Sequence, residues 1–385
     1  MNRPPLLTCV LLAAAMLAAG CGSATGRQAT APAHPTAPPS LATSLATATG
    51  TWAVAVMGGS AASHNNFWQL FVRPGGASTW RLATPPGVAS NGGLVLAGLR
   101  GGSVLAGFRP SQDLDYSPLA VTKNNGTTWS PALLDAGLAD VPGALAADPA
   151  SGRLLALLTD GTAEISGPGE TAWTRLTTRP TLATSSAGTR CELDSLNAVA
   201  FSPSGQPMLA AGCGRPGTAG IFTRTGHSWQ LTGPALPASY AHQAITVLRL
   251  TTTDGTTTAL LAAGTGSAAR LLAGWSSDGG KHWRLSPPLP LNGATLTSAS
   301  SGPGSSLAII LSHRRAAAIT SAPGPWRQLP VLPPGTATLA PAPSGGWDAL
   351  AVHSTQLTIW QAVRGSHAWA SAQVIKVPIP FGSSG

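Results

Sequence analysis

The stretch "KHWRLSPPLP", residues 281–290, sets a tryptophan, then a leucine, then an exit in prolines. The same order returns in "STWRLATPPG" (78–87), "HSWQLTGPALP" (227–237) and "GPWRQLPVLPPG" (324–335). Tryptophans before such an exit stand at Trp80, Trp129, Trp173, Trp229, Trp283, Trp326 and Trp369, 43 to 56 residues apart. A period in this range marks propellers and solenoids. Within one period, "LNAVAFSPSGQPMLAAGCGRPGTAGIFTRTGHSWQLTG" (196–233), four short apolar runs are separated by turn residues and read as strands. Helical periodicity appears nowhere at useful length. The expectation is an all-β chain: a seven-bladed β-propeller of four-stranded antiparallel blades over residues 49–380. Each tryptophan segment is then the outermost strand of a blade, and its prolines mark the crossing to the next. The first blade shows only three strands. Its fourth comes either from "SLATSLATA" (40–48) or from the C-terminal "QVIKVPIP" (373–380).

Two repeats carry a sharper mark. "SSDGGKHW" fits S-x-D-x-G-x-x-W with Ser276, Asp278, Gly280 and Trp283, and "TKNNGTTW" follows it with Thr122, Asn124, Gly126 and Trp129. The pattern needs an acceptor side chain over the turn amides, a glycine free to take positive φ, and an aromatic anchor. It resembles the Asp-box, or BNR, repeat of the sialidase-like superfamily, in which the box is a structural turn between the third and fourth strands.

That resemblance implies a test for catalysis. Sialidases use three arginines on a substrate carboxylate, a tyrosine nucleophile activated by a glutamate, and an aspartate as acid/base. Here only Tyr116 and Tyr240, and Glu164, Glu170 and Glu192, could serve. Such poverty points to a non-catalytic module, the alternative being a sialidase-like glycoside hydrolase. No metal-binding spacing, nucleophile elbow or phosphate-cradling loop is present, so neither a metal nor a cofactor is expected. The remaining role is binding, on loops gathered at one face of the disc. Those loops carry Arg109, Asp113, Asp115, Tyr116, Glu192, Tyr240, His242, His313, Arg314 and Arg315. Their ligand would be a protein or a glycan.

The first twenty residues read as a secretory signal: a basic start, then a short apolar run. It closes in "LAAGC", which resembles the lipobox of bacterial lipoproteins and makes Cys21 the lipidated residue. Residues 21–48 are almost all Ala, Thr, Pro, Ser and Gly and read as a disordered tether. The expected address is the extracytoplasmic side of a cell membrane, reached through the N-terminal lipid. The chain holds 22 Lys and Arg against 13 Asp and Glu, an excess of bases, but they are scattered without a basic run. Nucleic acid is therefore not an expected partner. With Cys9 and Cys21 in the leader and lipid site, Cys191 and Cys213 remain, and outside the cytoplasm such a pair is expected to bridge.

Overall fold

The computed structural model describes residues 43–58, 66–85, 94–108, 119–132, 142–148, 150–167, 173–362 and 368–378. The signal region, Cys21, the tether up to residue 42, and Arg109, Asp113, Asp115 and Tyr116 lie outside them.

The strands run in successive antiparallel meanders. The first is β1 (Ser44–Thr47), β2 (Gly50–Gly58), β3 (Asn66–Pro74) and β4 (Arg81–Leu82). The second is β5 (Leu94–Gly98), β6 (Val104–Phe108), β7 (Leu119–Thr122) and β8 (Ser130–Ala132). The third is β9 (Ala144–Ala147), β10 (Leu154–Leu157), β11 (Thr162–Ser166) and β12 (Trp173–Thr178). Next come β13 (Leu193–Phe201), β14 (Pro207–Cys213), β15 (Gly220–Thr225) and β16 (Ser228–Leu231). They are followed by β17 (Ile245–Thr253), β18 (Thr256–Ala263), β19 (Arg270–Ser276), β20 (Arg284–Leu285) and β21 (Leu289–Pro290). These two meanders merge into one nine-stranded sheet through a short β14–β17 pairing at Gly212↔Thr246 and Cys213↔Ile245. The last two are β22 (Leu296–Ser301), β23 (Leu307–Leu311), β24 (Arg315–Ile319) and β25 (Arg327–Gln328), then β26 (Thr336–Pro341), β27 (Trp347–His353), β28 (Gln356–Ala362) and β29 (Ala370–Lys376). Each outermost strand begins at or beside one of the periodic tryptophans, as the repeats imply.

Two readings are corrected. Ser44–Thr47, assigned to the tether, is a strand paired with β2 from Ser44↔Ala53 to Thr47↔Gly50, which settles the first meander in favour of the N-terminal option. Its small residues look like low complexity because the first strands of successive meanders crowd against one another, as β1 does against β5 and β26. Alanine, serine and threonine fit there where larger side chains would not. Second, although no helical periodicity shows in the sequence, the crossing from β12 to β13 forms two short helices, α1 (Arg179–Thr184) and α2 (Ser186–Cys191). Caps rather than periodicity make them. The Thr178 hydroxyl accepts from the Thr181 amide, Pro180 stands in the first turn, and the Ser185 hydroxyl accepts from Gly188.

The core is a series of clusters, each shared by consecutive meanders. Successive residues of one strand face opposite neighbours. On β2, Trp52 and Val54 pack towards Leu94, Val104 and Phe108 of the second meander. Ala53, Ala55 and Met57 pack towards Leu350, Leu357 and Ile359 of the last. This explains runs that are apolar throughout, such as "LLAL" and "LAIIL": both faces are covered.

Tryptophans tie neighbours together. The indole N–H of Trp129 donates to the carbonyl of Ala83 (3.0 Å), that of Trp283 to Thr232 (2.7 Å) and that of Trp369 to Pro330 (3.2 Å). Each acceptor lies just beyond the outermost strand of the preceding meander. Two of these tryptophans close matching hairpin turns. Ser276 Oγ accepts from the Gly280 amide (2.9 Å) and Asp278 Oδ1 from the His282 amide (3.0 Å). Thr122 Oγ1 likewise accepts from Gly126 (2.8 Å) and Asn124 Oδ1 from Thr128 (2.9 Å). Gly280 has φ 93°, and a Cβ there would come within 2.9 Å of Thr232 Oγ1, so both conformation and close approach demand glycine.

The first meander is fastened to the last. Arg73 on β3 is ion-paired with Asp348 on β27, both side chains almost wholly buried. Arg73 Nη2 donates to the Pro341 carbonyl (2.6 Å), its guanidinium lies 4.9 Å from the Trp80 ring, and Trp80 Nε1 donates to Asp348 Oδ2 (2.9 Å). Gln373 completes the join, donating to the Trp80 carbonyl and accepting from its amide (2.8 and 2.7 Å). Burial pushes the Asp348 carboxyl up and the Arg73 guanidinium down, so the pair fixes geometry at an energetic cost.

Two predictions follow from these contacts. Asp348→Asn leaves a buried unpaired guanidinium and should cost about 3–5 kcal/mol in denaturant unfolding. Arg73→Met/Asp348→Asn, which keeps an acceptor for Trp80, should recover most of it; equal loss in both variants would contradict the account. The second concerns Asp278, whose carboxyl is held well below the usual range by the amide and ring of His282. A depressed folded value means that the contribution is present above about pH 4 and is lost only as pH falls through the lower value. Hydrogen exchange should show the His282 amide still protected at pH 3, and unprotected in Asp278→Ala.

Candidate functional site

Antiparallel meanders place the β2–β3 type of loop and the crossings between meanders at one end of the strands, and the hairpin turns at the other. Glu192, Tyr240, His242, His313, Arg314 and Arg315 therefore share an end, but the contacts that they make are with their own surroundings. Glu192 caps α2 in a left-handed conformation (φ 55°) and pairs with Arg215 at 3.3 Å, both largely exposed. Tyr240 is buried at 5 % exposure in a short 3-10 turn, with its amide bonded to Pro237, while His242 beside it is exposed. His313 and Arg314 form the left-handed turn between β23 and β24. Arg314 Nε donates to the Leu332 carbonyl (2.6 Å) and Arg315 Nη1 reaches Leu291 O at 3.5 Å, so both arginines hold crossing segments down.

The disulfide forms between Cys191 and Cys213, with Cα atoms 4.9 Å apart. It joins the end of α2 to the end of β14, where Leu193 pairs with Cys213. The helical crossing that carries Glu192 is thereby clamped to the sheet.

A different site lies along the first strands. A cavity of about 430 Å³ is lined by β1, β5, β9, β13, β17 and β22, mostly through Ala, Leu, Val, Thr, Ser and Gly. Among the described lining residues only Arg249 and Asp254 are charged. Arg249 is placed by a β-bulge: Val247 pairs with Leu261 and Arg249 with Leu260, leaving Leu248 extra. The same irregularity recurs at Asn197 in β13, Thr297 in β22 and Ala337 in β26. Arg249 thus stands where its counterparts are Ala198, Ser298 and Thr338. Its Nε is buried with no hydrogen-bond partner, and desolvation alone pushes the guanidinium down to about 10. It stays charged at neutral pH. Asp254 sits at the β17–β18 turn with φ 51° and accepts from the Gly304 amide (3.3 Å). The Asn197 amide donates to the Val247 carbonyl (3.3 Å), bridging β13 to β17.

Sequence reasoning passed over Arg249, although "ITVLRLTTT" shows a charge inside an apolar strand. Among the described residues no three His, Cys, Asp or Glu side chains gather as they would around a metal ion.

No protein-family model matches the chain, and no curated protein does. Solved structures do. A protein from Lactobacillus plantarum is 12% identical with a TM-score of 0.54, over 86% of this chain and 97% of that one. The GH74 xyloglucanase from Xanthomonas campestris is 14% identical with a TM-score of 0.52, over 83% of this chain and 51% of the enzyme, so the similarity spans about half of the latter's length. The WD40 β-propeller domain of Doa1 is 11% identical with a TM-score of 0.44, over 80% and 89%. At such identities the likeness to the first two speaks to fold alone, and the fold is all-β, built of four-stranded antiparallel meanders, of the β-propeller type.

Removing the clamp tests its local role. In the chain-entropy account a closed loop spanning 22 residues is worth about 3 kcal/mol. Cys191→Ser/Cys213→Ser should lose about that much, and limited trypsin digestion should then cut first after Arg190. A variant of unchanged stability, or one cut first elsewhere, would show that the crossing holds itself.

Proposed function

We propose that this chain is a lipid-anchored, extracytoplasmic, seven-bladed β-propeller of the Asp-box type that acts as a non-catalytic recognition or scaffold module at the cell surface. The ring reading is supported by the contact of the first meander with the last through Arg73, Trp80 and Asp348. The Asp-box reading is supported by the matching hydrogen bonds of the turns at Asp278 and Asn124. The observation that carries the non-catalytic reading is the cavity itself, which among its described lining residues holds one arginine, one carboxylate at a turn, and no tyrosine or histidine. A sialidase-like reaction needs three arginines and a tyrosine–glutamate pair. Tyr240 is buried within its own turn, and Glu192 is paired with Arg215. Neither is presented as a nucleophile or its activator. Anchoring through Cys21 rests on the sequence, and no helix among the described residues is long and apolar enough to cross a membrane.

Two measurements test the proposal. Cys21→Ser should move the protein from the membrane fraction to the soluble extracytoplasmic one; continued pelleting after a salt wash would remove the lipid from the account. Purified protein should not turn over sialosides, xyloglucan or aryl glycosides. Hydrolysis abolished by Tyr240→Phe or Tyr116→Phe would replace the recognition reading with that of a glycoside hydrolase.

A further inference from the structure

We propose that the cavity is a binding site for a small organic carboxylate with an aliphatic body, held by Arg249. This rests on the cavity being the recognition site of a non-catalytic module, and names what it takes.

The charge is the first argument. Arg249 presents a planar fork of donors to the cavity, and its Nε is buried with no hydrogen-bond partner among the described residues. Arg249 as a whole is half-buried, but a buried donor left unbonded costs free energy, and a ligand that brings its own acceptors relieves that cost on binding. A guanidinium matches a carboxylate in two parallel hydrogen bonds. The only other charge in the described lining is Asp254, and it is negative, so one ligand charge is balanced and a second is not. That favours a monoanion over phosphate.

The walls are the second argument. Leu45, Leu96, Leu248 and Leu260 give the cavity an aliphatic lining. The one aromatic residue in the described lining, Phe201, is only 2 % exposed. A sugar ring would find no stacking platform there, whereas an alkyl chain would find contacts. At about 430 Å³ the space is that of an ordinary small-ligand pocket. The third argument is position. The bulge that introduces Leu248 is repeated in three other first strands, but only here is it followed by a charged side chain.

The test uses the full mature chain in detergent, with hexanoate, 1-hexanol and inorganic phosphate as probes, in calorimetric titration and thermal unfolding. Hexanoate should bind and raise the unfolding temperature, with hexanol and phosphate binding more weakly. In Arg249→Met the hexanoate affinity should fall by about tenfold to a hundredfold, the range expected for charged hydrogen bonds, and hexanol should be unaffected. Without ligand, Arg249→Met should unfold at a higher temperature than the wild type, since it removes a buried donor that no described residue satisfies. Hexanoate binding that is absent, or unchanged in Arg249→Met, overturns the site. Phosphate binding as tightly as hexanoate overturns the carboxylate assignment. A lower unfolding temperature for ligand-free Arg249→Met makes the arginine structural and overturns the proposal too. None of these readouts depends on the anchoring or hydrolysis assays, so the two readings can fail separately.

Discussion

The ion pair between Arg73 and Asp348 joins residues 275 positions apart, and what lies between them is built from local hairpins. Any one meander can form from neighbouring sequence at a modest entropic cost. The join cannot: it brings the first and last sheets together and, with the Trp80–Gln373 bonds across 293 residues, closes nearly the whole described chain. A charged pair suits that task better than an apolar one, because it accepts a single register. Trp80, Pro341 and Gln373 supply the further bonds that make the register unique. Apolar packing between Met57, Phe71, Leu350 and Ile359 gives the cohesion, and the buried charges decide where it sets.

Between consecutive meanders the same problem is solved more simply. An indole N–H reaches back to a carbonyl freed where the previous outer strand ends. Proline explains why that carbonyl is available: a segment leaving the sheet through proline makes few ladder bonds of its own. At Trp129, Trp283 and Trp369 the tryptophan-to-proline order is therefore one joint seen from both sides, with the donor in one repeat and the acceptor in the one before.

What the sequence made legible were features that repeat. Trp80 to Trp369 gave the strand groups, and Cys191 with Cys213 gave the bridge, because a period or a leftover pair is visible without coordinates. What stayed hidden depends on proximity. Ser44–Thr47 has the composition of a linker, and only the crowding of inner strands makes small residues the right ones there. The helices after Thr178 are too short for periodicity and exist through their caps. Arg73, Asp348 and Arg249 are single charges in apolar strands. Two of them meet across the chain, while the Nε of the third finds no partner among the described residues, a difference that spacing cannot express. Of the loop residues chosen as a binding face, Glu192, Tyr240, His242, His313, Arg314 and Arg315 share an end of the strands, yet Arg314, Arg315 and Glu192 are occupied in holding segments in place.

β1 is the first strand of its meander, and Ser44–Thr47 line the cavity together with the first strands of later meanders. The wall of the cavity is thus assembled from β1, β5, β9, β13, β17 and β22, segments far apart in the chain, each contributing a few small residues. A single small-to-large exchange in any one of them would narrow the space without touching Arg249, so the volume of the site and its charge can vary independently.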